Sequence, residues 1–222
     1  MIKLIELLAF AISAGAFCFG AVSLFHIGTA KQYPYYIYAA GCYMLEELWV
    51  IVDTLLGNSG QDGLLTVRLF GLFGCLCFLL SAKMKECSYA ERDSKNGRTA
   101  ILALIAPAVL IATYVLYLIN PRNNISSVVN VIGFVSLIPA FFASYFTLKH
   151  LLLKSGVTVD HKYTIMIDVL TLAFLAANPT YPLFNLYLSE YFIGAYDVFF
   201  AVMIFIIIVL CRKGALKWKT RT

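Results

Sequence analysis

Charged residues are scarce in this chain of 222 residues. Asp, Glu, Lys and Arg make up only 13% of it, whereas 61% of the residues are hydrophobic. A typical globular protein is about 25% charged and about 45–50% apolar. Aromatic residues reach 15%, and the mean hydropathy is +0.84. Because a water-soluble fold of this size could not bury so much apolar surface, the composition excludes a cytosolic enzyme, a disordered chain and a secreted disulfide scaffold. It predicts a protein of the lipid bilayer.

Sequence motifs for catalysis are missing as well. The histidines at positions 26, 150 and 161 form neither an HxxxH nor an HExxH pattern, and no nucleotide-binding loop or GxSxG elbow is present. We therefore expect no enzymatic activity, no bound metal and no cofactor. His26 and His150 are interpreted as caps at the membrane border. All six cysteines lie in predicted spans or on the reducing side, so no disulfide is expected.

Seven stretches are long and apolar enough to be transmembrane helices, each of which needs roughly 20 residues to cross a hydrocarbon core about 30 Å thick. The predicted spans are 4–25, 35–56, 64–82, 100–119, 128–153, 163–188 and 191–211. One hydrophilic loop, 83–98, separates the third span from the fourth. The sequence therefore predicts an all-α fold: one domain, 1–222, that forms a polytopic integral membrane bundle of seven helices.

The distribution of Lys and Arg predicts the orientation of this bundle. With the N-terminus outside, every Lys and Arg falls on the cytoplasmic side except Lys3, Arg68 and Arg122. We therefore expect a cytoplasmic C-terminus and a multi-pass protein of the plasma membrane or the bacterial inner membrane. Aligning the first span with the fifth matches Phe17 with Phe141, which suggests a 3+1+3 repeat with the fourth span as the linker.

Several ionisable residues lie inside the predicted spans. Each costs roughly 2.5–3.5 kcal/mol in a membrane, and such residues usually face the interior of the bundle. Glu46 and Asp53 are seven positions apart in the second span and share a helical face, whereas Glu47 is rotated away from Glu46. Asp53 and Arg68 lie at similar depths in neighbouring spans, so we predict that they pair. With Asp197 of the last span, the carboxylates outnumber the arginine, which favours a cationic or proton-coupled solute.

The sixth span carries a continuous polar stripe. Its members are spaced for one helical face: Asp168, Thr171, Asn178, Tyr181 and Asn185. We expect Pro179 and Pro182 to break the helix within this stripe, and a broken helix with Asn and Tyr at the break is a common way to build a solute site near the membrane midplane. A kinked packing helix explains the same pattern equally well.

These features predict transport of a small solute, cationic or proton-coupled, through a polar pocket in the bundle. The predicted ligand-binding residues are Glu46, Asp53, Arg68, Asn178, Tyr181 and Asp197. Two other interpretations stay open: a sensory or receptor module that binds an extracytoplasmic ligand, and a subunit of a larger membrane complex in which Gly71 and Gly74 contact partner helices.

The expected partners follow from the same pattern of charge and hydropathy. They are the lipid bilayer, a small-molecule or ion ligand, and a membrane protein or a second copy of the chain. Nucleic acid is not expected, because the net charge of +5 reflects topology and contact with an anionic leaflet.

Overall fold

The computed structural model describes residues 2–27, 33–55, 62–93, 97–121, 127–154, 162–185 and 190–219. Apart from Leu104 and residues 119–121 these residues are helical, with no strand among them. Within these ranges there are eight helices: α1 (Ile2–Ile27), α2 (Tyr33–Leu55), α3 (Asp62–Asp93), α4 (Gly97–Ala103), α5 (Ile105–Leu118), α6 (Ser127–Lys154), α7 (Lys162–Asn185) and α8 (Glu190–Lys219). The predicted all-α fold is confirmed for the described residues.

Two short helices between α3 and α6, namely α4 and α5, meet at a single residue, Leu104. Pro107 has no backbone N–H to donate to the carbonyl of Ala103, so the regular hydrogen bonding is interrupted at this point. The Leu104 amide instead donates to the Ile101 carbonyl at 3.1 Å, and the chain then continues as α5. The two helices together cover most of the predicted span 100–119.

Four helices in the described residues are long and apolar enough to cross a membrane. The qualifying segments are Leu4–Phe25, Arg98–Leu118, Gly133–Leu153 and Gly194–Gly214. Large apolar side chains remain exposed on the outer surface of the bundle; Ile105 and Val109 of α5, for example, are more than half exposed. Lipid is the solvent that accepts such a surface without penalty.

The predicted hydrophilic loop 83–98 is wrong over most of its length, because α3 continues to Asp93. The segment 83–93 contains neither Gly nor Pro, and its residues follow an amphipathic helical pattern. Lys83 and Cys87, four residues apart, are buried, whereas Met84 and Lys85 are exposed. An ion pair between Lys83 and Glu86 at i, i+3 supports the same helical turn.

The longer helices pack in a closed sequence in the described part of the chain. Each of the following neighbours is in contact: α1 with α2, α2 with α3, α3 with α6, α6 with α7, α7 with α8, and α8 with α1. Helix α2 also reaches α8, and α5 packs outside this ring on α6 and α7. The interior of the ring is therefore lined by helices from both halves of the chain.

Glycines of α3 bring its backbone close to α2. A Cβ atom at Gly71 would lie 3.0 Å from the Cβ of Glu46, and one at Gly74 would lie 2.9 Å from the Sγ of Cys42. Small residues allow this approach of helix backbones in membranes. Gly71 and Gly74 thus pack within the chain, whereas the interpretation as a complex subunit had assigned them to partner helices.

Candidate functional site

Five polar side chains from four helices converge at one end of the ring. Lys83 and Glu86 belong to α3, Tyr36 to α2, His150 to α6 and Asp168 to α7. We call this group of five residues the lysine cluster. Lys83 and Asp168 are fully buried, and His150 is 1% exposed. Charges are rarely buried to this extent unless they are paired.

The lysine ammonium bridges two carboxylates within this cluster. Lys83 Nζ lies 2.7 Å from Asp168 Oδ1 and 2.8 Å from Glu86 Oε2. These are lengths of charge-assisted hydrogen bonds, which are stronger than neutral ones. Because Asp168 belongs to α7 and Glu86 to α3, the ammonium links the two helices. Removing one partner from a buried pair of this kind leaves an uncompensated charge.

The remaining carboxylate oxygens of the lysine cluster also have partners. His150 Nδ1 lies 2.7 Å from Asp168 Oδ2 and 3.9 Å from Glu86 Oε2, and the Tyr36 hydroxyl donates to Glu86 Oε1 at 2.9 Å. An ionised carboxylate only accepts hydrogen bonds, so the short contact requires a proton on Nδ1 of His150. Two carboxylates thus share one ammonium, one imidazole N–H and one phenol.

A second group of ionisable residues, which we call the acidic cluster, lies further along α2. It consists of Tyr43, Glu46 and Glu47 of α2 and Asp197 of α8, and all four side chains are at most 6% exposed. The Tyr43 hydroxyl donates to the backbone carbonyl of Asp197 at 3.3 Å and interacts electrostatically with all three carboxyl groups. The Tyr43 hydroxyl therefore links α2 to the backbone of α8 beside these carboxyl groups.

Tyr43 also belongs to an aromatic layer, which it forms with Phe174 and Phe200 beside the carboxyl groups of the acidic cluster. The ring centroid of Phe174 lies 6.1 Å from that of Tyr43 and 5.4 Å from that of Phe200, both in edge-on arrangements. Phe174 follows Asp168 by six residues on α7, which corresponds to about 9 Å along the helix. The three rings thus lie between the level of the lysine cluster and that of the carboxyl groups of the acidic cluster.

Asn178 lies one turn beyond this layer on α7 and is 8% exposed. Its Nδ2 donates to the carbonyl of Phe174 at 2.8 Å, so the amide supports the turn that precedes Pro179. Helix α7 continues through Pro179 and Pro182 to Asn185, and the expected break of the sixth span is wrong. The polar stripe therefore follows one continuous helix.

The predicted ligand-binding residues fall into two groups. Glu46 and Asp197 are both buried, and each interacts electrostatically with Tyr43 in the acidic cluster. Asp53 and Arg68 lie on α2 and α3, but their side chains and that of Tyr181 are outside the part of the structure that is described. The predicted pair of Asp53 and Arg68 therefore stays a prediction.

Sequence reasoning missed most of the lysine cluster. Lys83 and Glu86 were assigned to a loop, and His150 was interpreted as a cap at the membrane border, yet all three contact one another or Asp168 inside the bundle. Only Asp168 was recognised as a buried polar group, because it belongs to the stripe of the sixth span. The amphipathic pattern of 83–93 was the available signal for the helix.

Comparisons of this chain with family models, with curated proteins and with solved structures found no match.

Proposed function

We propose that this protein is a membrane carrier for a small solute that is cationic or is moved together with protons. The observation that carries this proposal is that ionisable groups are buried in two clusters, one on each side of an aromatic layer. Both clusters lie inside a bundle that contains helices long and apolar enough to cross a membrane. Ionisable residues at membrane depth are costly and commonly mark the pathways of substrates and ions. A hydrophobic packing role alone would not require them.

The topology that we propose for this carrier has seven spans, with α4 and α5 acting together as the fourth. In it the N-terminus is outside, the C-terminus is cytoplasmic, and the protein is multi-pass in a plasma or bacterial inner membrane. The contact pattern supports a 3+1+3 repeat, because α1, α2 and α3 follow one another in the ring as α6, α7 and α8 do. Repeats of this kind place solute sites at the interface of the two halves.

In the proposed carrier, the acidic cluster binds the solute. Glu46 and Asp197 supply negative charge, and the Tyr43 ring offers an aromatic face to a cation. Asn178 contributes a buried polar group nearby, and Asp53, Arg68 and Tyr181 are the further members that the sequence predicts. The aromatic layer stops the solute, while the lysine cluster holds α3, α6 and α7 together at the cytoplasmic end.

A ligand screen tests this proposal directly. Detergent-purified protein would be heated with amines, amino acids, nucleosides, sugars or metal salts, and the midpoint of thermal unfolding compared among wild type, Glu46→Gln and Asp197→Asn. A matched control is Glu6→Gln, because Glu6 is a partly exposed carboxylate near the start of α1. We expect a ligand that raises the midpoint in wild type and in Glu6→Gln but not in the two cluster variants.

Ligands found in this way would then be tested for uptake by proteoliposomes. Uptake that requires Glu46 and Asp197 supports the carrier. The proposal is contradicted if no ligand shifts the midpoint and both cluster variants unfold like wild type. The carboxylates would then be structural, and co-purifying subunits or an attached output domain would become the evidence to seek.

A further inference from the structure

Three residues of the lysine cluster offer ligand atoms of the kinds that bind divalent metal ions. Glu86, His150 and Asp168 each provide one such atom, and these atoms lie within 4.8 Å of one another. Imidazole nitrogen combined with carboxylate oxygen suits zinc and its first-row neighbours. A metal with bonds of about 2.1 Å holds its ligands roughly 3.0–3.5 Å apart, so small side-chain rotations would complete the geometry.

The position between the two carboxylates already holds a positive charge that the protein supplies. Lys83 Nζ contacts both Asp168 and Glu86 at hydrogen-bond distance, and its side chain is fully buried. Two carboxylates around one ammonium form a site of surplus negative charge. The Lys83 ammonium therefore occupies the position in which the two carboxylates would best neutralise a bound cation.

A buried hydroxyl group, that of Thr171, lies one turn after Asp168 on α7. Thr171 is fully buried, and its Oγ1 makes no hydrogen bond within the described residues. Thr171 follows Asp168 by three residues, so the two share a face, and the Cα–Cβ bond of a helical residue inclines toward the N-terminus, which here means toward Asp168. A buried hydroxyl without a partner is costly, and coordination to a cation would satisfy it.

We infer that Glu86, His150 and Asp168 form a binding site for a divalent transition-metal cation, and that Lys83 competes with the metal for this site. The binding site itself stands on the geometry of the lysine cluster. Its role rests on the proposed function, in which the metal would be the carried cation. When the metal binds, the proton on Nδ1 of His150 is released to solvent, because the ligating nitrogen needs a free lone pair. The Lys83 ammonium is displaced because the two positive charges repel each other, and the link between α3 and α7 passes from Lys83 to the metal.

Calorimetric titration of the chelator-treated, detergent-purified full chain with zinc chloride or manganese chloride tests the binding site. We expect one metal ion per chain in wild type and at least tenfold weaker binding in Asp168→Asn and in His150→Gln. Lys83→Met should bind the metal at least tenfold more tightly than wild type, because the competing charge is gone. The matched control is Lys85→Met, since Lys85 is an exposed lysine of the same helix and should leave the affinity unchanged.

A purely structural lysine cluster gives a different result. The inference is overturned if neither wild type nor folded Lys83→Met binds either metal, or if His150→Gln binds it as wild type does. If Lys83→Met fails to fold, the comparison of wild type with His150→Gln decides, because glutamine retains a hydrogen-bond donor for Asp168.

Uptake of the same metals by proteoliposomes separates the binding site from the proposed function. Metal binding without uptake supports the binding site and refutes carriage of the metal. Uptake of another solute by a protein that binds no metal refutes the metal site and supports the carrier.

Discussion

The buried bridge between Lys83 and Asp168 makes a sharp prediction about stability. Replacing Lys83 by methionine keeps most of the side-chain volume but removes the charge. The Asp168 carboxylate then stays buried with His150 at 2.7 Å as its remaining charged or polar contact among the described residues. Glu86 retains Tyr36 and, at 3.9 Å, His150.

The size of the effect follows from the burial of both partners. Breaking a buried ion pair by removing one partner costs about 3–5 kcal/mol of the free energy of unfolding. Because Asp168 and Glu86 each keep one close hydrogen bond, we expect a loss of about 3 kcal/mol for Lys83→Met. Asp168→Asn should cost less, because Lys83 keeps its contact with Glu86.

The double variant Lys83→Met/Asp168→Asn removes both charges. It should be more stable than the sum of the single losses predicts, by about 1–3 kcal/mol, as expected for two residues in direct contact. The free energy of unfolding would be measured for all four proteins by equilibrium unfolding with SDS in mixed micelles, followed by helical circular dichroism. Lys85→Met serves as the control and should change the value by less than about 1 kcal/mol, because it loses only an exposed contact with Tyr35.

If the stability lost in the double variant equals the sum of the losses in the two single variants, the reasoning is refuted. Such additive losses would mean that Lys83 and Asp168 do not interact in the folded protein. A loss for Lys83→Met as small as that for Lys85→Met would refute it as well, because an exposed lysine carries no comparable penalty.

Three further predictions concern packing and topology. In the same assay, Gly71→Ala should lower the free energy of unfolding by about 1–3 kcal/mol, because its Cβ would press on Glu46. Gly15→Ala, whose Cβ would meet nothing within 4 Å, should be as stable as wild type or more stable. Equal effects of the two substitutions would contradict the close contact of α2 and α3. Phe174→Ala should lower the free energy of unfolding by about 3–5 kcal/mol, whereas Phe142→Ala, at an exposed position, should lower it by less than about 1 kcal/mol. Similar losses for the two variants would argue against the aromatic layer. A green fluorescent protein fused to the C-terminus should fluoresce and alkaline phosphatase at the same place should be inactive; the reverse pattern would contradict the proposed orientation.

The helical fold could be predicted from hydropathy because apolar runs of about 20 residues leave little alternative. The error at 83–98 has a specific cause. A polar segment at the end of a span resembles a loop when it is judged by mean hydropathy alone, but Lys83 and Cys87 recur at helical spacing and face the interior. Hydropathy reports what faces lipid, whereas periodicity reports what faces protein.

The lysine cluster could not be predicted from local motifs because its members are far apart in the chain. Lys83, His150 and Asp168 come from three helices, and no spacing rule connects them. A search for paired histidines on one helix misses a site that uses one histidine and two carboxylates from different helices. By contrast, Glu46 and Asp197 could be selected singly, because an ionisable residue in the middle of an apolar run is conspicuous.

The packing of the helices indicates where a carrier of this shape would open. Helices α2 and α3 approach closely at Gly71, so this pair should move as one body. In the described residues, α3 and α7 are instead joined by the side chains of Lys83 and Asp168, without the extensive backbone packing seen between ring neighbours. Shifting a two-state equilibrium from 1:99 to 99:1 takes about 5.5 kcal/mol, and losing a buried ion pair costs about 3–5 kcal/mol. Because these free energies are similar, loss of the Lys83 link before a cation replaces it would be large enough to release α3 from α7 in the proposed carrier.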